Sequence, residues 1–139
     1  MAAGNEVFVD TSVWIAAVRE PDAQHERGRT LGQEILNRRV RVVISDMVLA
    51  EVVTLVLKRD GPVAARKLMD LLEENTTILY VDKPVLEDAK SLLRQYWSPR
   101  KPLSVCDATS VVLMQRRGIE DLYSLDSGFD GMPGIHRIG

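Results

Sequence analysis

The 139 residues contain a single cysteine, Cys106. It cannot close an internal disulfide, and alone it cannot build a thiolate zinc site. Strong charge of either sign is also missing: 18 Lys and Arg against 20 Asp and Glu leave a net charge of −2. The chain is therefore no generic polycation, and a nucleic-acid partner has to be met by a local basic patch or by bound cations. No apolar run approaches the roughly 20 residues of a membrane span; the longest, such as Val52–Leu57, end at charges. The opening MAAGNEVFVD lacks the basic stretch and apolar segment of a secretion signal. There is no repeat and no low-complexity tract. These absences predict a soluble, reduced, cytoplasmic protein that does not engage a membrane.

What is present fits one globular domain over residues 1–139, long enough to bury about two thirds of its unfolded surface. Glu6–Asp10 (EVFVD) is short, β-branched and aromatic, and reads as a strand ending at a carboxylate. Thr11 or Ser12 can cap the helix VWIAAV, and Pro21 and Asp22 open a more polar helix reaching about Asn37. Val40–Ile44 reads as a second strand. Ser45 or Asp46 then caps a strongly apolar helix that Gly61-Pro62 stops. Val63–Glu74 is amphipathic, with Ala64, Leu68, Leu71 and Leu72 on one side. Thr76–Val81 is a third strand, Pro84 starts a helix to Tyr96 or Trp97, and Leu103–Arg117 is a helix ended by Gly118. Asp121–Ser124 is a short strand, Asp126–Asp130 a turn and Ile135–Ile138 an edge strand. Strands without clean alternation, separated by helical stretches, predict an α/β fold: three α/β/α layers around a mostly parallel sheet of four to five strands. Working sites in such sheets lie outside the carboxyl ends of the strands.

That edge collects carboxylates. Asp10 ends the first strand and Asp126 follows Tyr123-Ser124. Each also suits a local role, Asp10 at a helix start and Asp126 opening an Asp-Ser-Gly turn. Glu51 has Met47, Val48, Thr54 and Leu55 one helical turn away, and Asp107 has Leu103, Ser104, Ser110 and Val111, with Met114 a turn beyond. Both thus read as carboxylates on inward, apolar helix faces, where an unpaired charge costs several kcal/mol. A buried ion pair is the alternative, but neither helix carries a basic residue at a matching position. Carboxylates gathered at one edge raise each other's pKa, and a divalent cation keeps them ionised. Oxygen-only ligands favour Mg²⁺ or Mn²⁺ over zinc, and His25 and His136 lie outside the set. A hard cation in such a cleft points to water activation and phosphodiester cleavage.

Four segments then resemble the PIN domain family, and within it the small VapC-type toxin nucleases of toxin–antitoxin pairs. They are Val7-Phe8-Val9-Asp10-Thr11-Ser12-Val13, Leu49-Ala50-Glu51-Val52, Leu103-Ser104-Val105-Cys106-Asp107-Ala108 and Tyr123-Ser124-Leu125-Asp126-Ser127-Gly128-Phe129-Asp130. Their order and spread cover essentially the whole chain. The resemblance implies a metal-dependent endoribonuclease acting on single-stranded RNA, with Asp10, Glu51, Asp107 and Asp126 as catalytic and metal-holding residues and Mg²⁺ or Mn²⁺ as cofactor. Asp130 is an outer candidate, and Thr11, Ser12 and Ser104 match hydroxyls that support the carboxylates or a phosphate, a role compatible with helix capping. A homodimer and an antitoxin that blocks the cleft are further implications. Haloacid dehalogenase-type phosphatases need an Asp where Ser12 stands. Receiver domains need an acidic neighbour of Asp10 and a Lys after Asp126, and both are absent. A housekeeping RNA-processing nuclease and a non-cleaving PIN module that binds RNA or protein remain the alternatives.

For RNA, positive charge is expected at Arg94, Arg100 and Lys101 around Tyr96-Trp97, where an aromatic ring can stack on a base. Arg116-Arg117 and Arg38-Arg39-Arg41 are further basic groups. Trp14 reads as core or as a dimer contact.

Overall fold

The computed structural model describes residues 5–139. Five strands, β1 (Glu6–Val9), β2 (Arg41–Ser45), β3 (Thr77–Leu79), β4 (Asp121–Tyr123) and β5 (His136–Ile138), form one sheet in the order β3-β2-β1-β4-β5. Every pairing is parallel, so the expected three-layer architecture holds and "mostly parallel" becomes entirely parallel within this sheet. Between β1 and β2 run α1 (Thr11–Val18) and α2 (His25–Arg38); between β2 and β3 run α3 (Asp46–Asp60) and α4 (Pro62–Asn75); between β3 and β4 run α5 (Lys83–Tyr96) and α6 (Val105–Arg117). The first two crossovers step outward in one direction and the third returns, so right-handed connections place α1–α4 and α5–α6 on opposite faces. The packing agrees: α1 contacts α2 and α3, α3 contacts α4, and α5 pairs with α6.

The strands alternate between two cores. Val7 and Val9 join Val13, Leu31, Ile35 and Tyr123, whereas Phe8 joins Val43, Leu122 and the buried positions of α5 and α6. Helix α6 is buried from Ala108 to Met114, which fixes the height at which its first turn meets the sheet edge. Among the described residues no helix is long and apolar enough to cross a membrane.

Several element boundaries differ from the sequence reading, each for a local reason. Asp10, not Thr11 or Ser12, occupies the N-cap of α1. Helix α2 begins at His25 because Asp22 first turns the chain, accepting from the Gln24 amide at 2.8 Å while its own carbonyl accepts from the His25 amide at 3.0 Å. Ser104 and Asp107 form a reciprocal capping box, so α6 starts at Val105 rather than Leu103. On α4 the buried line is Ala65, Leu68 and Leu72, leaving Leu71 at 45% exposure. On α3 only Val48, Val52 and Val56 are fully buried, and Glu51, expected inward, is exposed between half-buried Met47 and Leu55.

Helices α1 and α2 cross closely at Gly28. A Cβ there would lie 2.6 Å from the Ala17 amide nitrogen and 2.7 Å from the Ala16 Cβ. Backbone cannot yield as a flexible side chain can. Gly28→Ala is therefore expected to destabilise by about 1–3 kcal/mol, despite a helix-propensity gain of about 1 kcal/mol. Urea denaturation measures this, and an unchanged midpoint would show that the two helices separate freely.

Candidate active site

The carboxyl ends of the strands bring four of the expected acids to one cleft. Asp10 follows β1, Glu51 lies in the second turn of α3, Asp107 is the third residue of α6, and Asp126 follows β4. All four line a cavity of about 310 Å³, together with Thr11, Ser12, Ile15, Leu55 and Leu125. Two residues not singled out from sequence, Asp22 and Gln24, complete its wall. A larger groove of about 780 Å³ between α2, β2 and the end of α4 is mainly apolar and contains none of these acids.

The four acids differ in burial. Asp10 is 4% exposed, Asp107 is half-buried, and Glu51 and Asp126 are exposed. The cost anticipated for Glu51 on an apolar face therefore falls on Asp10 instead. Its Oδ2 accepts from the Ser12 and Ser124 hydroxyls, each at 3.0 Å. Burial outweighs those bonds and raises its pKa. Asp107 accepts from the Ser104 amide at 3.1 Å. Burial, followed by the nearby charge of Asp10, pushes it up to about 6, with Asp126 adding to the effect. Asp126 caps a short 3₁₀ turn (Ser127–Phe129), accepting from the Gly128 amide at 2.8 Å. Cys106 beneath the cleft is held as the neutral thiol, first by burial and then by the charges of Glu51, Asp10, Asp107 and Asp46.

The remaining candidates separate clearly. Thr11 lines the cleft, and its buried Oγ1 has no hydrogen-bond partner. Ser12 and Ser104 contact the carboxylates directly or through the capping box. Asp130 does not line the cleft; its carboxylate is bound by Arg137 at 2.7 and 3.3 Å. Arg94 and Arg100 are exposed, while Lys101 donates to the Asp130 carbonyl at 2.5 Å. The other basic groups are largely committed elsewhere. Arg117 holds Glu6 at 2.8 Å, Arg38 holds Asp121 at 2.9 Å, and Arg116 holds Asp88 at 2.5 Å. Glu6 and Asp121 start their strands, so two of these pairs sit at the sheet's opposite edge. Trp14 is half-buried and donates to the Val9 carbonyl at 3.1 Å. Neither histidine reaches the cleft: His25 contacts the Ala16 carbonyl and His136 contacts Asp121.

Ser124 was not anticipated. It is fully buried at the end of β4, and the only trace in sequence is a small hydroxyl residue closing an apolar strand two positions before Asp126.

Among the described residues no three His, Cys, Asp or Glu side chains are gathered as a ready-made cation site. Like charges repel, and three of the four carboxylates keep enough exposure to stand apart. The donor chemistry nevertheless suits a hard cation: oxygen ligands, a buried carboxylate with raised pKa, and an unpartnered buried hydroxyl at the same cleft.

An all-parallel five-stranded sheet with acids converging at its carboxyl edge is the arrangement of PIN-type nucleases, and the PIN domain model matches residues 7–135. The chain belongs to the PIN domain family. It is 31% identical over 124 residues to the 23S rRNA-specific endonuclease VapC20 of Mycobacterium tuberculosis, covering 88% of this chain and 91% of that protein. The crystal structure of M. tuberculosis VapC20, a sarcin–ricin loop cleaving toxin, superposes with a TM-score of 0.79 at 28% identity, over 91% of this chain and 95% of that one. FitAcB from Neisseria gonorrhoeae shares the fold, with a TM-score of 0.66 at 18% identity and 96% of each chain covered.

The raised pKa of Asp107 carries a pH signature. Its folded value of about 6 lies above the ordinary 3.8 of an aspartate, so as pH falls the folded chain binds this proton before the unfolded chain does. Its contribution to stability therefore falls as pH rises from about 4 to about 6 and stays low above that. Without divalent ions, Asp107→Asn is expected to melt above wild type at neutral pH, with the difference shrinking towards pH ~4. Equal melting temperatures at both pH values would refute the electrostatic coupling.

Proposed function

We propose that the chain is a VapC-type endoribonuclease, a single PIN domain over residues 1–139 that hydrolyses RNA in the cytoplasm with Mg²⁺ or Mn²⁺. The observation that carries this reading is four acids from four separate elements lining one cleft, in a chain 31% identical to a 23S rRNA-specific endonuclease. Asp10, Glu51, Asp107 and Asp126 would hold the cation. A bound divalent cation would offset the negative charge that builds on the phosphoryl oxygens and would lower the pKa of the attacking water.

The protein's own groups divide the remaining work. Asp10 is fixed by two hydroxyls, and Asp107 by the first turn of α6. The Thr11 hydroxyl, buried next in sequence to Asp10, has no hydrogen-bond partner and so remains uncommitted. No histidine lines the cleft and Cys106 stays protonated, so no neutral-pH side-chain base competes with the carboxylates. Exposed Arg94 and Arg100, with Lys101 nearby in sequence, supply positive charge for the phosphate backbone. Trp97, 56% exposed with its indole N–H donating to the Leu103 carbonyl at 2.7 Å, offers a ring face for an unpaired base.

The structural relatives extend the reading to partners. A toxin–antitoxin complex from Klebsiella pneumoniae has a TM-score of 0.65 at 20% identity, with 95% of this chain and 99% of that one covered. An antitoxin that closes the cleft is accordingly part of the proposal, and the homodimer implied by the family resemblance is carried with it. A ribosomal RNA loop is the first substrate to test.

Purified protein should cut an RNA of this kind with Mn²⁺ and stop on addition of EDTA. Asp10→Asn and Asp107→Asn should each lose at least about a hundredfold in rate, with unchanged circular dichroism. Cleavage that persists in excess chelator, or wild-type turnover by both variants, would overturn the reading. Tight RNA binding without any cut would instead support the non-cleaving module.

A further inference from the structure

We propose that Arg137 is a positioning residue for Asp10, acting through Ser124, with Asp130 as the counter-ion that fixes its orientation. The proposal rests on Asp10 being a cation ligand, as argued above.

The hydrogen bonds around Asp10 have defined directions. Ser12 Oγ accepts from the Leu125 amide and Ser124 Oγ from the Asp126 amide, each at 3.0 Å. Each hydroxyl then has one proton to give. The two oxygens are 3.4 Å from each other but 3.0 Å from Asp10 Oδ2, and the shorter contact takes both protons. Oδ2 thereby accepts two hydrogen bonds, and among the described residues no side chain donates to Oδ1. The carboxylate is held in one rotation, with one oxygen committed to the protein.

That rotation is only as fixed as Ser124. Its amide donates to the Ile138 carbonyl at 3.1 Å. Its carbonyl accepts from Arg137 Nη1 at 3.0 Å, and Gly139 packs against that carbonyl so closely that a Cβ would sit 1.9 Å from the oxygen. Arg137 spends its other nitrogens on Asp130, Nε to Oδ1 at 2.7 Å and Nη2 to Oδ2 at 3.3 Å. A fork pinned on both carboxylate oxygens leaves Nη1 one direction to point. As a stability device the pair is weak, because Asp130 is 55% exposed. Its consequence lies in placing a ligand's supporting shell, where small displacements matter. Asp130 thus acts on Arg137 rather than on a cation.

The test uses the full chain, with Mn²⁺ alone as the calorimetric probe and RNA cleavage as a separate readout. Arg137→Lys keeps the charge but loses the fork, and Asp130→Asn loses the ion pair. Both are expected to weaken Mn²⁺ binding about tenfold and to lower kcat with KM nearly unchanged. Ser124→Ala should cost about 10–100-fold, and Ser124→Thr should restore most of it. The double variant R137K/S124A should bind no more weakly than S124A, because Arg137 acts through Ser124. Wild-type Mn²⁺ affinity in both R137K and D130N would overturn the proposal. So would a double variant that adds the full R137K loss to that of S124A, or a KM effect alone, which would make Arg137 an RNA contact. Wild-type Mn²⁺ binding by D10N would sink the functional reading and this one together. Loss of binding in D10N beside intact R137K and D130N would sink this one only.

Discussion

Like charges at one sheet edge are the constraint on which the structure turns. Asp10, Asp107 and Asp126 are close enough for the charges of Asp10 and Asp126 to raise the Asp107 pKa, and Asp10 is almost wholly buried. The fold offsets part of this cost with backbone geometry. Asp10 and Asp126 occupy N-caps and Asp107 sits in the first turn of α6, where the partial positive charge of helix N-termini favours a carboxylate. Glu51, in the second turn of α3, lies beyond that field and instead stays in water.

The opposite edge of the sheet shows the same residue types under the opposite rule. Glu6 opens β1 and Asp121 opens β4, yet each is neutralised on the spot. Arg117 grips Glu6 with two bonds at 2.8 and 2.9 Å and holds its carboxyl below the usual range. Asp121 feels burial pulling its pKa up, but His136 and Arg38 carry it below the ordinary value. Arg38 also donates to the hydroxyl of fully buried Tyr123, which in turn donates to Glu34 at 2.7 Å. One edge is therefore closed electrostatically and stabilised by being charged. The other is left open and is destabilised by being charged. Acidic residues at the amino edge serve the fold, and those at the carboxyl edge await something from outside.

The fold was legible because β-branched strands and capped helices alternate along the chain, and the site because strand ends are where a parallel sheet puts its chemistry. Asp10 and Asp126 could be placed from that rule alone. Glu51 reached the right cleft by a wrong argument: apolar neighbours one turn away suggested burial, whereas Met47 and Leu55 form only the half-buried flank of α3. The basic groups were harder to read because their partners are remote in sequence. Arg38 and Asp121 are 83 residues apart, and Arg117 and Glu6 are 111 apart. No local pattern marks such pairs as taken. Ser124 stood in one of the four family-like segments without a role, and its link to Arg137 was unreadable for a related reason, since that bond depends on the parallel β4–β5 register that sets Tyr123 beside Ile138.

On the proposed reading, the partners of Asp10 are explained by what each kind of partner would do to a cation. An arginine beside it would satisfy the buried carboxylate permanently and repel a divalent ion, as the Arg117–Glu6 pair at the far edge illustrates. Serine hydroxyls orient the group through hydrogen bonds and add no net charge. The nearby guanidinium, Arg137, is tied to Asp130, so its charge is largely spent before it reaches the cleft. Orientation and neutralisation are thus separated: the protein supplies the first in full and withholds the second. A buried carboxylate left in that condition is unstable on its own terms, and the species that relieves it most completely is a small, hard, mobile cation approaching from the cleft.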